Sequence, residues 1–413
     1  MNPGPAEPPE TASGSQGAAG EVLVAFLKLG LTSFGGPIAH LGYFREEFVA
    51  RRRWIDDRGY ADLVALCQFL PGPASSQVGF ALGLQRAGAK GALAAWVGFT
   101  LPSAILLVLF AWSAGAIAGP LGLGLLHGLK VAAVAIVAQA VWGMARALCP
   151  DRQRAGIAVA AVVIVTVLGG VSGQFAAILA GALAGLWLCR DESAGQGQDA
   201  GLHFPVSKAA GVAALAVFAL LLVGLPLLAA AVPMQALAVV DAFYRAGALV
   251  FGGGHVVLPL LEAEIVAPGW VSADAFLAGY GAAQAVPGPL FTFAAFLGAL
   301  LEPAPNGIAG AALALVAIFL PGLLLLTGAL PFWSALRARP RIRAPMAGVN
   351  AAVVGILGAA LYDPVWTAAI RRPEDFALAL VCFAALTVWK SPPWIVVLIA
   401  AAGGAGLALL RSS

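Results

Sequence analysis

Two short runs hold residues suited to anion binding. "SFGGP", Ser33 to Pro37, followed by His40, lies inside the first hydrophobic stretch, and "FGGG", Phe251 to Gly254, followed by His255, has the same surroundings in the second half. Proline ends one helix and fits the start of the next, while glycine lets a ligand approach the backbone. A half-helix that begins there presents free N–H groups and the positive end of its dipole, which favour an anion. Lys28 and Arg245 each stand seven residues before the glycine pair, two turns away on the same helix face. A cation within a membrane segment is by default a functional hypothesis. A second pair of breaks, "LPGP" (Leu70 to Pro73) and "VPGP" (Val286 to Pro289), is flanked by Ser75, Ser76, Gln77, Gln284 and Thr292. The candidate binding set is therefore Lys28, Ser33, Gly35, Gly36, His40, Gly72, Ser75, Ser76 and Gln77 in the first half. In the second it is Arg245, Gly252, Gly253, Gly254, His255, Gln284, Gly288 and Thr292. No catalytic group or metal ligand is assigned.

Each feature also has a plainer reading. Glycines and prolines also mark kinks and close helix packing, the role assigned to "GALAG", Gly181 to Gly185. Lys28 and Arg245 are long enough to snorkel toward an interface. His40, His127 and His255 are open to simple packing roles, and Glu262 and Glu264 read either as loop acids or as proton-coupling groups.

Composition places these residues in a bilayer. Of 413 residues 61% are hydrophobic and 10% charged, against about 25% charged in soluble domains. Runs such as Ala155 to Val171 and Ala209 to Val232 approach or exceed the ~20 residues that cross a membrane. A net charge of +3, dispersed over loops, gives nucleic acid no basic face. Cys67, Cys149, Cys189 and Cys382 lack CxxC spacing or a ligand cluster, so they read as lone buried thiols. Residues 1–20, rich in Pro, Gly and Ala, read as a disordered tail, and the polar stretch 191–208 as a cytoplasmic linker.

The halves repeat. Placing Phe26 on Phe243 carries Lys28 onto Arg245 and Gly35 and Gly36 onto Gly252 and Gly253. After a one-residue deletion Trp54 meets Trp270, Gln68 meets Gln284 and "LPGP" meets "VPGP". Three inserted residues then bring "FTLPSAILL" onto "IFLPGLLLL". This ordered run indicates an internal duplication, with a first repeat at 21–190 and a second at 236–411.

Basic residues are retained on the cytoplasmic side of span ends. The loop Arg45 to Arg58 holds five arginines and its counterpart, Glu262 to Ala275, has none; one span on, the bias reverses, with Arg337, Arg339, Arg341 and Arg343 in the second repeat. The second repeat is expected to be inverted, and a linking span at 209–232 supplies the odd crossing. Inverted repeats are characteristic of secondary transporters. The stretch between Arg58 and Arg86 must then enter and leave on one side. Its arms, Tyr60 to Leu70 and Pro73 to Gln85, would measure roughly 16 and 19 Å at ~1.5 Å per residue, half a bilayer each. Similar re-entrant hairpins are expected at Glu21 to Phe48, Asp241 to Leu261 and Phe276 to Leu300. The expected fold is an all-α polytopic membrane protein of two inverted-topology repeats, about 13 membrane elements. Non-helical backbone at membrane depth is tolerated only beside protein or a water-filled cavity, so four tips near the midplane predict a polar site.

"SFGGPIAHLGYFREEFV", "LCQFLPGPASSQVG" and "FTLPSA", with "VFGGGHVVLPLLEAE" and "GYGAAQAVPGPLFTFAAFLGAL", resemble the chromate ion transporter family in its long-chain, two-domain form. The likeness runs from about Lys28 to Phe332. It implies a bacterial inner-membrane carrier that expels chromate and confers resistance, with sulfate uptake or exchange, or an anion channel, as alternatives. The partners it implies are a small oxyanion, chromate or sulfate, and the lipid bilayer, with a homodimer as one assembly the chain admits. An enzyme that reduces chromate is disfavoured because no haem, flavin or paired-thiol site is visible, so no cofactor is expected.

Overall fold

A computed structural model describes residues 18–114, 119–189, 204–251, 254–333 and 340–412. The expected tail and linker, apart from residues 18–20 and 204–208, lie outside the described residues, as do Gly252, Gly253, Arg337 and Arg339. Every regular element among the described residues is helical, and seven helices are long and apolar enough to cross a membrane.

The first repeat opens with two broken hairpins. Helix α1 (Ala19–Thr32) stops at Ser33, and Gly35, with φ of 102°, caps α2 (Gly36–Phe44), whose first turn contains Pro37. Helix α2 runs on as a wider π-helical segment, Arg45–Arg51. Helix α3 (Asp57–Phe69) is capped by the Asp56 side chain, ends before Pro71, and the chain re-enters as α4 (Ala74–Ala114) directly after Pro73. Ala87 and Gly88 leave helical geometry, so α4 is an arm at 74–86 followed by a full span. The arms expected from sequence are thus present within a few residues. Helices α5 (Gly119–Leu148), α6 (Arg152–Leu168) and α7 (Gly170–Leu188) complete the repeat.

Helix α8 (Lys208–Ala231) links the halves and leaves most of its apolar surface exposed, Leu220 and Leu227 included, as a lipid-facing span would. The second repeat follows the same order. Helix α9 (Gln235–Ala248) is followed by a short turn at Gly254–Val256, α10 (Val257–Leu261) and a π-helical segment, Glu262–Val266. Next come α11 (Ala273–Ala283), a turn at Leu290–Thr292 and α12 (Phe293–Leu300). Spans α13 (Gly307–Ala329), α14 (Pro340–Ala360), α15 (Pro373–Thr387) and α16 (Pro393–Ser412) close the chain.

The halves exchange helices. Helix α5 lies on α16, where a Cβ on Gly124 would sit 2.7 Å from Gly404 O, and α7 lies on α14, where a Cβ on Gly185 would meet Gly348 Cα at 3.0 Å. Small residues allow such close approach between membrane helices, so GALAG serves packing as expected. Cys67, Cys189 and Cys382 are buried, whereas Cys149, at the end of α5, is only half-buried.

Candidate anion site at the crossing of four helix ends

The proline tips and glycine tips of opposite halves bind each other. Gly72 N–H donates to Val250 O at 2.7 Å, and Gly288 N–H donates to Ser33 O at 2.9 Å. These are equivalent bonds, since Gly72 aligns with Gly288 and Ser33 with Val250. Their neighbours match too: a Cβ on Gly72 would meet Gly322 Cα at 3.0 Å, and one on Gly288 would meet Ser103 Oγ at 2.8 Å, where Ser103 and Gly322 follow the aligned Pro102 and Pro321. Both tip glycines have positive φ, 116° and 94°, which only glycine adopts readily. A cradle of free N–H groups at all four tips is therefore not what forms: two of these donors are spent on the opposite tip.

Side chains supply donors instead. The hydroxyls of Ser33, Ser76 and Thr100, the indole Nε1 of Trp96 and His40 Nε2 are buried with no hydrogen-bond partner among the described residues. A buried polar group left unpaired costs about 1–3 kcal/mol, so several together signal a missing ligand or water. They come from elements that meet at the crossing. Ser33 ends α1 beside Gly288; His40, on α2, places Nδ1 3.4 Å from Ser75 Oγ and its ring 5.3 Å from that of Phe99. Trp96, Thr100 and Ser103, at spacings of four and three, share one face of α4. Gln77 spends its amide N–H groups on Pro71 O (3.0 Å) and Gly322 O (2.9 Å), which ties the first proline tip to α13 and leaves Oε1 unpartnered.

In the second repeat Thr292 is buried and donates to Pro289 O at 2.7 Å within its own tip. His255 Nδ1 lies 2.7 Å from the Tyr280 hydroxyl, which the Gln284 amide also approaches. Gly254 is buried beside Pro37 of the first glycine tip. Gly252 and Gly253 fall outside the described residues.

Lys28 and Arg245 are occupied by acids. Lys28 Nζ lies 3.7 Å from Glu47, and Arg245 bonds Asp241 (2.8 Å) and Glu264 (2.9 Å). Equivalent backbone bonds, Trp54 N–H to Phe48 O and Trp270 N–H to Ile265 O, place the one-residue deletion after these acids, so Glu47 corresponds to Glu264. Each repeat thus carries the same ion pair between the two arms of its first hairpin. Glu47 also binds Arg51 and Arg52, and Arg52 and Arg86 share Glu21 and flank the Trp54 ring. Of the histidines, His127 packs with Nε2 2.9 Å from Asp375. Glu264 was read as a loop acid or a proton-coupling group, and its pairing with Arg245 and that of Glu47 with Lys28 were missed, although the offset that sets Lys28 on Arg245 also sets Glu47 on Glu264.

A model of the chromate transporter family matches the chain twice, over residues 20–186 and 237–407, one match per half. The chromate transport protein of Pseudomonas aeruginosa is 31% identical over 398 residues, covering 94% of this chain and 91% of the relative. The chromate transport protein of Cupriavidus metallidurans is 28% identical over 403 residues, 95% of each chain. A probable chromate transport protein of Synechococcus elongatus is 28% identical over 394 residues, 92% of this chain and 93% of the relative. No solved structure matches this chain. With the family pattern fitting both halves and the apolar helices able to span a bilayer, this chain belongs to the chromate transporter family.

Proposed function

We propose that this protein carries chromate out of the cytoplasm across a bacterial inner membrane, with the oxyanion held where the four tips cross. The observation that carries the reading is the group of buried, unpartnered hydroxyl and indole groups of Ser33, Ser76, Thr100 and Trp96 on the elements that form the crossing. A tetrahedral oxyanion brings acceptors only, so hydroxyl and indole donors fit it without leaving its own donors stranded. Sulfate shares this chemistry and should compete; phosphate carries O–H donors at neutral pH, and a hydroxyl that accepts from one of them no longer serves the anion as fully, so phosphate should compete less well. Lys28 and Arg245, being held by acids, position the half-helices and supply field rather than direct contacts. The two repeats run in opposite directions, as the arginine bias of Arg45 to Arg58 against Glu262 to Ala275 requires.

An interior-negative potential favours export of a dianion by about 4.6 kcal/mol per 100 mV. Cells that make the protein should accumulate less chromate than controls, and collapsing the potential should erase most of the difference. Higher accumulation at normal potential would reject export in favour of oxyanion uptake.

A further inference from the structure

The duplication produces two equivalent crossings, but their chemistry differs. In the first repeat the positions at the crossing are Ser33, His40, Ser75, Gln77 and Thr100. The alignment sets on them Val250, Val257, Phe291, Phe293 and Phe319, all buried at 1% exposure or less. The second set is packed on itself: the Phe291 and Phe319 rings lie 5.6 Å apart. Ser76 alone keeps a hydroxyl counterpart, Thr292, and that hydroxyl is already satisfied by Pro289 O. Trp96, which leaves its indole N–H unpaired, corresponds to Leu315.

We infer that the oxyanion site is one-sided: a single anion binds per chain, its donors coming from the first repeat, while the equivalent positions of the second repeat are filled by apolar side chains. The inference rests on the transport reading above and adds to it the location and number of the sites. Physical reasons support the asymmetry. An anion in a low-dielectric setting needs several donors at once, and a surface of valine and phenylalanine offers none. Conversely, buried hydroxyls without partners are costly and persist where a ligand or water satisfies them. Gln284 lies four residues before Gly288, whose tip lies against Ser33. Through this tip the second repeat closes over the first repeat's donors.

The test is equilibrium binding of radiolabelled sulfate and of chromate to the purified full chain in detergent, with thermal unfolding to report folding. One anion per chain is expected. Ser76→Ala and Thr100→Val should each weaken binding about tenfold or more, the factor set by a lost hydrogen bond to a charged ligand. Val257→Ala, the counterpart of a change at His40, should leave affinity within twofold. Binding of two anions per chain would overturn the one-sided site, as would unchanged affinity in folded Ser76→Ala and Thr100→Val, and either result would leave the transport reading standing. Absence of any oxyanion binding by the folded wild type would overturn both.

Discussion

Gly72 and Val250, 178 residues apart (250 − 72), are joined by an N–H to carbonyl bond of 2.7 Å between the proline tip of one half and the glycine tip of the other. Gly288 and Ser33 make its counterpart at 2.9 Å. Irregular backbone in the middle of a bilayer must satisfy its polar groups internally, and here each half completes the other. A ligand or a conformational change that parts one tip pair leaves the other as a pivot.

Replacing either tip glycine tests this directly. Gly72→Ala forces an L residue to φ of 116° and puts its methyl 3.0 Å from Gly322 Cα; Gly288→Ala meets Ser103 Oγ at 2.8 Å. Left-handed backbone costs a non-glycine residue about 1–2 kcal/mol before the clash is counted. Both variants should unfold at lower temperature and transport poorly. Wild-type transport by both in liposomes would show that the tip pairing is dispensable.

The ion pairs give a second expectation. Arg245 and Glu264 are mostly shielded from solvent, so Arg245→Ala strands two acids and should cost about 3–5 kcal/mol. Neutralising the whole group, Arg245→Met with Asp241→Asn and Glu264→Gln, should restore much of the unfolding temperature and retain transport. A well-folded but inactive triple variant would instead put Arg245 in direct contact with the substrate.

Acid should loosen one contact between the two halves. Lys130 donates to Asp274 at 2.8 Å, and this bond holds the Asp274 carboxyl below the usual carboxylate range. The unfolded chain therefore takes up the proton at higher pH than the folded one. The contact's stabilisation is complete above about pH 4 and is lost as pH falls through the lower folded value. Because the Asp274 side chain is 59% exposed, the amount should stay under about 1 kcal/mol. Unfolding temperatures between pH 3 and 7, wild type against Asp274→Asn, should converge at the acid end; a constant gap would disprove the assignment.

Topology can be read by labelling. In a chain freed of its native cysteines, Ala87→Cys should react with an impermeant thiol reagent only from the cytoplasm. Ser272→Cys and Ala304→Cys, both at exposed positions, should react only from outside. Reaction of Ala87→Cys and Ala304→Cys from a common side would rule out the inversion.

Much of the fold was legible because glycine and proline act locally. Pro37 and Pro73 dictate where helices restart, and the observed starts at Gly36 and Ala74 follow from the missing proline donor and its fixed φ. The linking helix was equally plain, since a 24-residue helix whose one charged residue is its first, Lys208, needs no partner to declare a span. What escaped the sequence was long-range pairing. Nothing local announces that Gly72 N–H will be spent on Val250, so the tips looked like open donors. Lys28 and Arg245 looked like anion ligands because their acids lie 19 residues onward, across a turn (47 − 28 and 264 − 245). Thr100 and Trp96 were overlooked because, within a continuous helix, a buried hydroxyl or indole is marked only by the partner it lacks.

The helix exchange between halves also sets an order of events during synthesis. The glycine face of α5 at Gly124 is covered by Gly404, 280 residues later (404 − 124), and that of α7 at Gly185 by Gly348. At translation rates of about 5–20 residues per second, 280 residues take roughly 14 to 56 s. For that time the first repeat stands in the bilayer with its seams open to lipid, insertion factors and proteases. Its packing waits on α16, so a chain truncated before α16 loses packing at α5 as well.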